Sequence, residues 1–153
     1  YCIQITRYPV IPAGEANDFD ASEFIRESIT EANTRCPGLE VIFHHDGRVL
    51  PCCSPGVFDT HLALATVGES IEHYIRKIER NALLAIMQRE GLLWFQNILK
   101  DELPESDAAR TTEIVSACEL CTVIFRSRHN LDILRPHVLA YFGRAQGEVR
   151  VEL

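Results

Sequence analysis

The sequence predicts an α+β domain in which a small antiparallel sheet, built on one β-hairpin, is surrounded by four or five helices. Three observations carry this. Asp46-Gly47, a pair tolerant of positive φ, separates the alternating Leu39, Val41 and Phe43 from the extended-reading Arg48-Val49-Leu50. From Ile71 onward, apolar residues recur at three- and four-residue spacing, the period of an amphipathic helix. The chain has 153 residues, 46% hydrophobic and 24% charged, which is the balance of one domain with its own core. At that length roughly 70% of the unfolded chain's surface is buried on folding, so the core does not require a metal or a crosslink.

Each element has its own signal. Ile3, Ile5 and Arg7 alternate in a segment from Cys2 to Val10 that reads as a short strand ending at Pro9, and Pro12-Ala13-Gly14 breaks it. Asp20 or Ser22 can cap a helix over about 21–34, with Phe24, Ile25, Ile29 and Ala32 on one side and Pro37-Gly38 as its stop. The hairpin follows, with its turn at Asp46-Gly47. Cys52-Cys53-Ser54-Pro55-Gly56 is irregular, and 57–67 reads as a connector ending at Gly68. Ser70 then caps a helix through Ile71, Tyr74, Ile75, Ile78, Ala82, Leu83, Ala85 and Ile86, which Gly91 ends or bends. Leu92 begins another that lasts until Pro104, 105–115 reads as a weaker helix, and Leu131, Leu134, Val138, Leu139 and Phe142 form the apolar face of a last one. A terminal strand is expected over 148–153.

Charge excludes some functions. Fifteen Lys and Arg against 22 Asp and Glu give a net charge of −7, with no basic block for tracking phosphates, so nucleic acid is not an expected partner. No uncharged apolar run approaches the roughly 18 residues of a membrane span, and the N-terminus lacks a signal-peptide layout. No membrane partner is expected, and the expected compartment is the cytoplasm. The chain begins at Tyr1 rather than Met, which reads as either processed or cut from something longer.

Six cysteines are too few for a disulfide-stapled scaffold, and their spacing is more informative than their number. Cys36 is followed by ten residues, Gly47, four residues and Cys52; 65 residues later come Cys118 and Cys121 with two residues between them. Four thiols from separate places suit a tetrahedral four-sulfur site. A turn centred on Asp46-Gly47 would pair position 41 with 52, bringing Cys52 beside the root of the other arm, and Pro37-Gly38 can fold Cys36 back. A Cys-x-x-Cys loop leaving a helix would present two further sulfurs on one side. Zinc accepts the same four sulfurs, a disulfide can join the late pair, and inert thiols are the remaining reading.

The hairpin from Phe43 to Cys52, with the Cys-x10-Gly-x4-Cys pattern and the later Cys-x-x-Cys, resembles the C-terminal auxiliary-cluster domain of radical S-adenosylmethionine enzymes. This domain is called SPASM in its two-cluster form and twitch in its one-cluster form. Thr66 to Ile71 is similar to the link that follows in that family. Tyr8 to Ala16 resembles its exit from the last barrel strand, although Glu15 stands where Arg is usual. The resemblance implies a single twitch-like domain over 1–153, with 1–16 as the end of a missing radical S-adenosylmethionine barrel. It implies one [4Fe-4S] cluster held by Cys36, Cys52, Cys118 and Cys121, with Cys53 able to replace Cys52. The family's Cys-x3-Cys-x2-Cys loop is absent, so this chain alone is not expected to cleave S-adenosylmethionine, which would enter only through the barrel. The implied role is electron transfer or substrate positioning in radical modification of a peptide or small molecule. A zinc-held structural or protein-interaction domain is the alternative.

The remaining features have ordinary readings. Cys2 reads as a buried thiol, His44 and His45 as solvated turn residues, and Trp94-Phe95 as core. His61, His73, His129 and His137 lack ligand spacing. Glu69, Glu72 and Glu79 alternate with Arg76, Lys77 and Arg80 on a solvated helical face.

Overall fold

The computed structural model describes residues 10–13, 16 and 18–143. The expected strands over Cys2–Val10 and 148–153, and Cys2 itself, therefore lie outside the described residues, apart from Val10. Asp20 begins a short 3₁₀ turn, Ala21–Glu23, through a capping box in which its carboxylate accepts from the Ser22 amide at 2.8 Å while Glu23 accepts from the Asp20 amide at 3.2 Å. The expected helix over 21–34 stops there. Phe24 is extended, β1 (Glu27–Ser28) follows, and a second 3₁₀ turn, Ala32–Thr34, completes the segment. The reason is competition for backbone groups. The Ile29 amide bonds the Thr112 carbonyl at 2.9 Å, and Asn33 accepts from the Thr30 amide and donates to the Ser28 carbonyl. Ile25, counted on the apolar face, is 83% exposed.

The hairpin is present, with a register one residue away from expectation. β2 (Ile42–Phe43) and β3 (Arg48–Leu50) pair Ile42 with Leu50 and Phe43 with Val49, which sets Glu40 opposite Cys52. A two-residue turn at Asp46-Gly47 would set Val41 there. Instead His44 accepts from the Gly47 amide at 3.0 Å and donates to the Arg48 carbonyl at 2.9 Å, and Gly47 takes φ +86°. The loop therefore holds three residues, with Gly47 as a left-handed bulge. A 3₁₀ turn, Pro55–Asp59, and β4 (Ala65–Thr66) replace the expected connector, β4 pairing antiparallel with β3 to give the order β2-β3-β4.

Helices follow. α1 (Ile71–Arg80) starts at the Ser70 cap, and its Glu69, Glu72, Arg76, Glu79 and Arg80 side is exposed as expected. The continuous helix expected through Ile86 is broken at Asn81, which ends α1 in an extended conformation and caps α2 (Ala82–Glu90) by accepting from the Leu84 amide. Gly91 joins α2 to α3 (Leu92–Glu102). The weak helix expected over 105–115 is a 3₁₀ turn, Ala108–Arg110, followed by β5 (Glu113–Ile114), which pairs with β1. Buried Gln96 on α3 takes the carbonyls of Ala109 and Thr111 at 3.1 and 2.8 Å, bonds that a helix would have used internally. α4 (Ala117–Arg126) and α5 (Arg128–Gly143) close the fold.

The fold is thus α+β, with five α-helices and two small antiparallel sheets among the described residues. One core joins Val49 and Leu50 of the sheet to Tyr74, Ile86, Phe95, Leu99, Leu120, Phe125, Leu134 and Val138, all nearly inaccessible. Phe95 and Phe125 meet edge to face at 5.1 Å, and Trp94 packs against the core as expected. Leu139, assigned to the apolar face of α5, is 47% exposed. Among the described residues no helix is long and apolar enough to cross a membrane.

Candidate metal centre

Three stretches of chain meet between the hairpin root and the first turn of α4. The first carries Cys36. It leaves the Ala32–Thr34 turn, and the backbone of Thr34 lies against Gly91, where an added Cβ would be 3.5 Å from the Thr34 carbonyl oxygen. Gly91 itself has φ +77° and ψ −179°, a region that side-chain-bearing residues rarely enter. The Cys36 thiol donates to the Gly38 carbonyl at 3.4 Å.

The second stretch is Cys52-Cys53-Ser54, which leaves β3 and enters the Pro55–Asp59 turn. Its backbone is seated directly on α4: a Cβ at buried Gly56 would collide with Thr122 Oγ1 and lie 3.6 Å from the Cys118 carbonyl oxygen. The backbone of Ser54 partly offsets the upward push of burial on the Cys52 thiol.

The third stretch is the start of α4. The sequence suggested a Cys-x-x-Cys loop leaving a helix; instead both thiols sit in the opening turns of one, at i and i+3 and so on one side. Ser116 caps this helix from below, accepting from the Glu119 amide at 3.4 Å. Glu119, between the two cysteines, accepts from the Val115 amide at 2.7 Å and pairs with Arg26 at 2.8 Å. That ion pair ties the cysteine turn to the segment before β1.

These stretches enclose a cavity of about 660 Å³ lined by Cys36, Cys52, Cys53, Cys118 and Cys121. Its remaining wall is mainly apolar, including Leu39, Val57, Leu62, Leu84, Met87 and Leu92, and Glu40 is its one carboxylate among the described residues. Burial is the first cause that pushes the Cys36 thiol up, the Cys52 thiol up to about 11 and the Cys121 thiol well above its ordinary value. Negative charge on neighbouring cysteines adds to each shift. Four cysteine sulfurs in an apolar chamber suit a cationic or polynuclear group that takes up thiolate charge, and this donor set fits an iron–sulfur group. All four cysteines line the same cavity. Among the described residues, no three His, Cys, Asp or Glu side chains converge on a point where one ion would sit.

Cys53 differs from Cys52. It is exposed, and its hydrogen bond to the Glu40 carboxylate, followed by that carboxylate's charge, pushes its thiol up. Glu40 reaches this position through the shifted register. His44 and His45 do not line the cavity; His44 is engaged with Asp46 at 2.8 Å and stacks on Phe58 at 4.4 Å. Two features at the site were missed in the sequence. Gly56 read only as a breaker, although a glycine beside a cysteine run is a signal for close backbone approach. Ser54 is among the lining residues, and its buried hydroxyl has no partner.

No protein-family model matches the chain. It is similar to YydG of Bacillus subtilis (strain 168), a protein named for peptide biosynthesis, with 33% identity over 145 residues. The match takes in 92% of this chain and 46% of YydG, so the chain spans about half the length of this curated relative.

Proposed function

We propose that the chain is an auxiliary cluster-binding domain of a radical S-adenosylmethionine enzyme that modifies a peptide, and that it holds one [4Fe-4S] cluster through Cys36, Cys52, Cys118 and Cys121. The observation that carries this is the single cavity lined by all four thiols, drawn from three separate stretches of chain. Its volume suits a group of several atoms. Four sulfurs on one zinc ion would stand roughly 3.8 Å apart around a point, by tetrahedral geometry at the usual Zn–S length. The similarity to YydG supports the peptide, and the part-length match supports a separate barrel that would bind S-adenosylmethionine. A fully thiolate-ligated cluster leaves no iron open, so the chemistry it supplies is one-electron transfer. The chain's own residues do the rest. The α4 turn and the hairpin root fix the ligands, and the leucines and Met87 exclude water.

Anaerobic reconstitution of the chain with ferrous iron and sulfide tests this reading. The expected product is brown, carries about four irons and four sulfides per chain, and has a broad visible band that bleaches with dithionite. A colourless protein that retains one tightly bound zinc and takes up no iron would overturn it.

A further inference from the structure

We infer that an extended peptide joins the hairpin sheet as a further strand along the outer edge of β2, and that Glu40 holds a lysine or arginine of that peptide at the mouth of the cysteine cavity. The inference rests on the peptide reading above and deepens it, since it names where the peptide lies and which side chain it carries. The two edges of the β2-β3-β4 sheet differ. At β4, the Tyr74 hydroxyl donates to the Thr66 carbonyl at 3.3 Å and accepts from the Glu69 amide at 2.7 Å, so α1 closes that edge. At β2, the inward side is occupied: the Glu40 amide donates to the Pro51 carbonyl and the His44 amide to the Arg48 carbonyl, both at 2.9 Å, and Ile42 pairs with Leu50. Alternation then turns the N–H and C=O groups of Val41 and Phe43 away from β3. Neither residue makes a backbone hydrogen bond on that outer side with any described residue. Such an edge takes up an extended chain through main-chain hydrogen bonds.

The two faces of this edge say what the added strand carries, because successive side chains of a strand point to opposite faces. Phe43 is 53% exposed and meets Tyr74 edge to face at 5.5 Å, so its face is the one that α1 covers, and a large apolar side chain beside it would shield the ring. Glu40, three positions earlier, falls on the other face and lines the cavity. It is exposed, and it makes no ion pair with any other described residue. No Lys, Arg or His lines the cavity among the described residues, which leaves Glu40 as its one fixed charge. The charge complementary to this edge is therefore a cation, placed three residues from the apolar side chain that meets Phe43. A single exposed carboxylate adds little affinity, but it fixes register and selects among partners, while the main-chain bonds hold the strand. The naming of YydG for peptide biosynthesis supports a peptide as the occupant.

The probe is a fluorescein-labelled heptapeptide, Lys-Thr-Thr-Leu-Thr-Thr-Lys-amide, which sets a lysine three residues from leucine in either strand direction. It is titrated into the reconstituted full chain and followed by anisotropy. Saturable binding is expected, weakened about fivefold when both lysines are replaced by glutamate, and by a similar factor in Glu40→Gln. Glu40→Lys should reverse the preference and favour the glutamate peptide. Two further peptides carry N-methyl groups on alternate amides, one on the odd and one on the even positions. Only one set of amides faces β2, so one of these peptides should bind about tenfold more weakly and the other as the parent does. Equal effects of the two methylation patterns would overturn strand addition, and indifference to charge at Glu40 would overturn the role of that residue. Should the Glu40 variants fail to fold, the wild type with the glutamate and methylated peptides decides in their place. A chain that loads iron but binds none of the parent peptide up to about 1 mM overturns the inference and leaves the cluster reading intact. A chain that takes up no iron yet shows both binding signatures supports the inference and overturns the cluster reading.

Discussion

Cys52 and Cys53 are neighbours with the same side chain, and their surroundings separate them. Cys52 is half-buried in the cavity, and burial is what pushes its thiol up; Cys53 is exposed, and the Glu40 carboxylate is what pushes its thiol up. Cys53→Ala is therefore expected to keep its iron on reconstitution, while Cys52→Ala loses at least half of it. Iron and sulfide assays check this, and the reverse pattern would transfer the ligand role to Cys53. Asp46 makes a different prediction. It accepts from the Arg48 amide, from His44 and from the Arg48 side chain, and these bonds hold its carboxyl well below the usual carboxylate range. A carboxyl depressed in the folded state adds stability that is present above the unfolded value near 3.9 and lost as pH falls further towards the folded value. Below about pH 4, the melting temperature of Asp46→Asn should fall less steeply than that of the wild type. Parallel acid limbs would show that the hairpin turn makes no such contribution.

The elements are held in place by close backbone approach as much as by side chains. At Gly56 the Pro55–Asp59 turn lies on α4 with no room for a methyl group beside Thr122, whose hydroxyl donates to the Cys118 carbonyl at 2.8 Å. Gly56→Ala is expected to cost about 1–3 kcal/mol through overpacking and to lower iron uptake, because Cys52 and the α4 thiols are pushed apart. Thr122→Ala on that background should recover most of the loss, and a double-mutant cycle with no coupling would reject the contact as the cause. The same scale explains what was legible in the sequence. Ser70, Gly91, the helical periods and the Asp46-Gly47 turn are local signals, and each marks a real boundary. The helices expected over 21–34 and 105–115 failed together, because Glu27–Ser28 and Glu113–Ile114 pair with each other. That partnership spans more than 80 residues and leaves no period in either segment. The register error at the hairpin has a local cause, since whether Gly47 joins a two-residue turn or a bulge cannot be read from Asp-Gly alone.

For the whole molecule, the cysteine spacing singled out four thiols that line one cavity, while the route by which the chain brings them there was hidden. Cys36 arrives through packing of Thr34 on Gly91, Cys52 through the hairpin, and Cys118 and Cys121 through a helix anchored to Arg26. A group bound there crosslinks segments that are far apart in sequence and whose core is otherwise continuous, from Val49 to Val138. The core alone should keep the metal-free chain folded, and binding should add to that stability, because ligands from distant segments are gathered only in the folded state. A group bound at a hundred times its Kd contributes about 2.7 kcal/mol. For a chain of this size, each kcal/mol moves Tm by about 2–4 °C, so anaerobic calorimetry should find the loaded protein melting roughly 5–10 °C above the metal-free one. Cys118→Ala is expected to lose both the cluster and that increment, and to melt at the same temperature whether or not iron and sulfide are supplied. An increment that survives in Cys118→Ala would mean that the stabilising group binds elsewhere, and the cavity between the hairpin root and α4 would then lose its assignment.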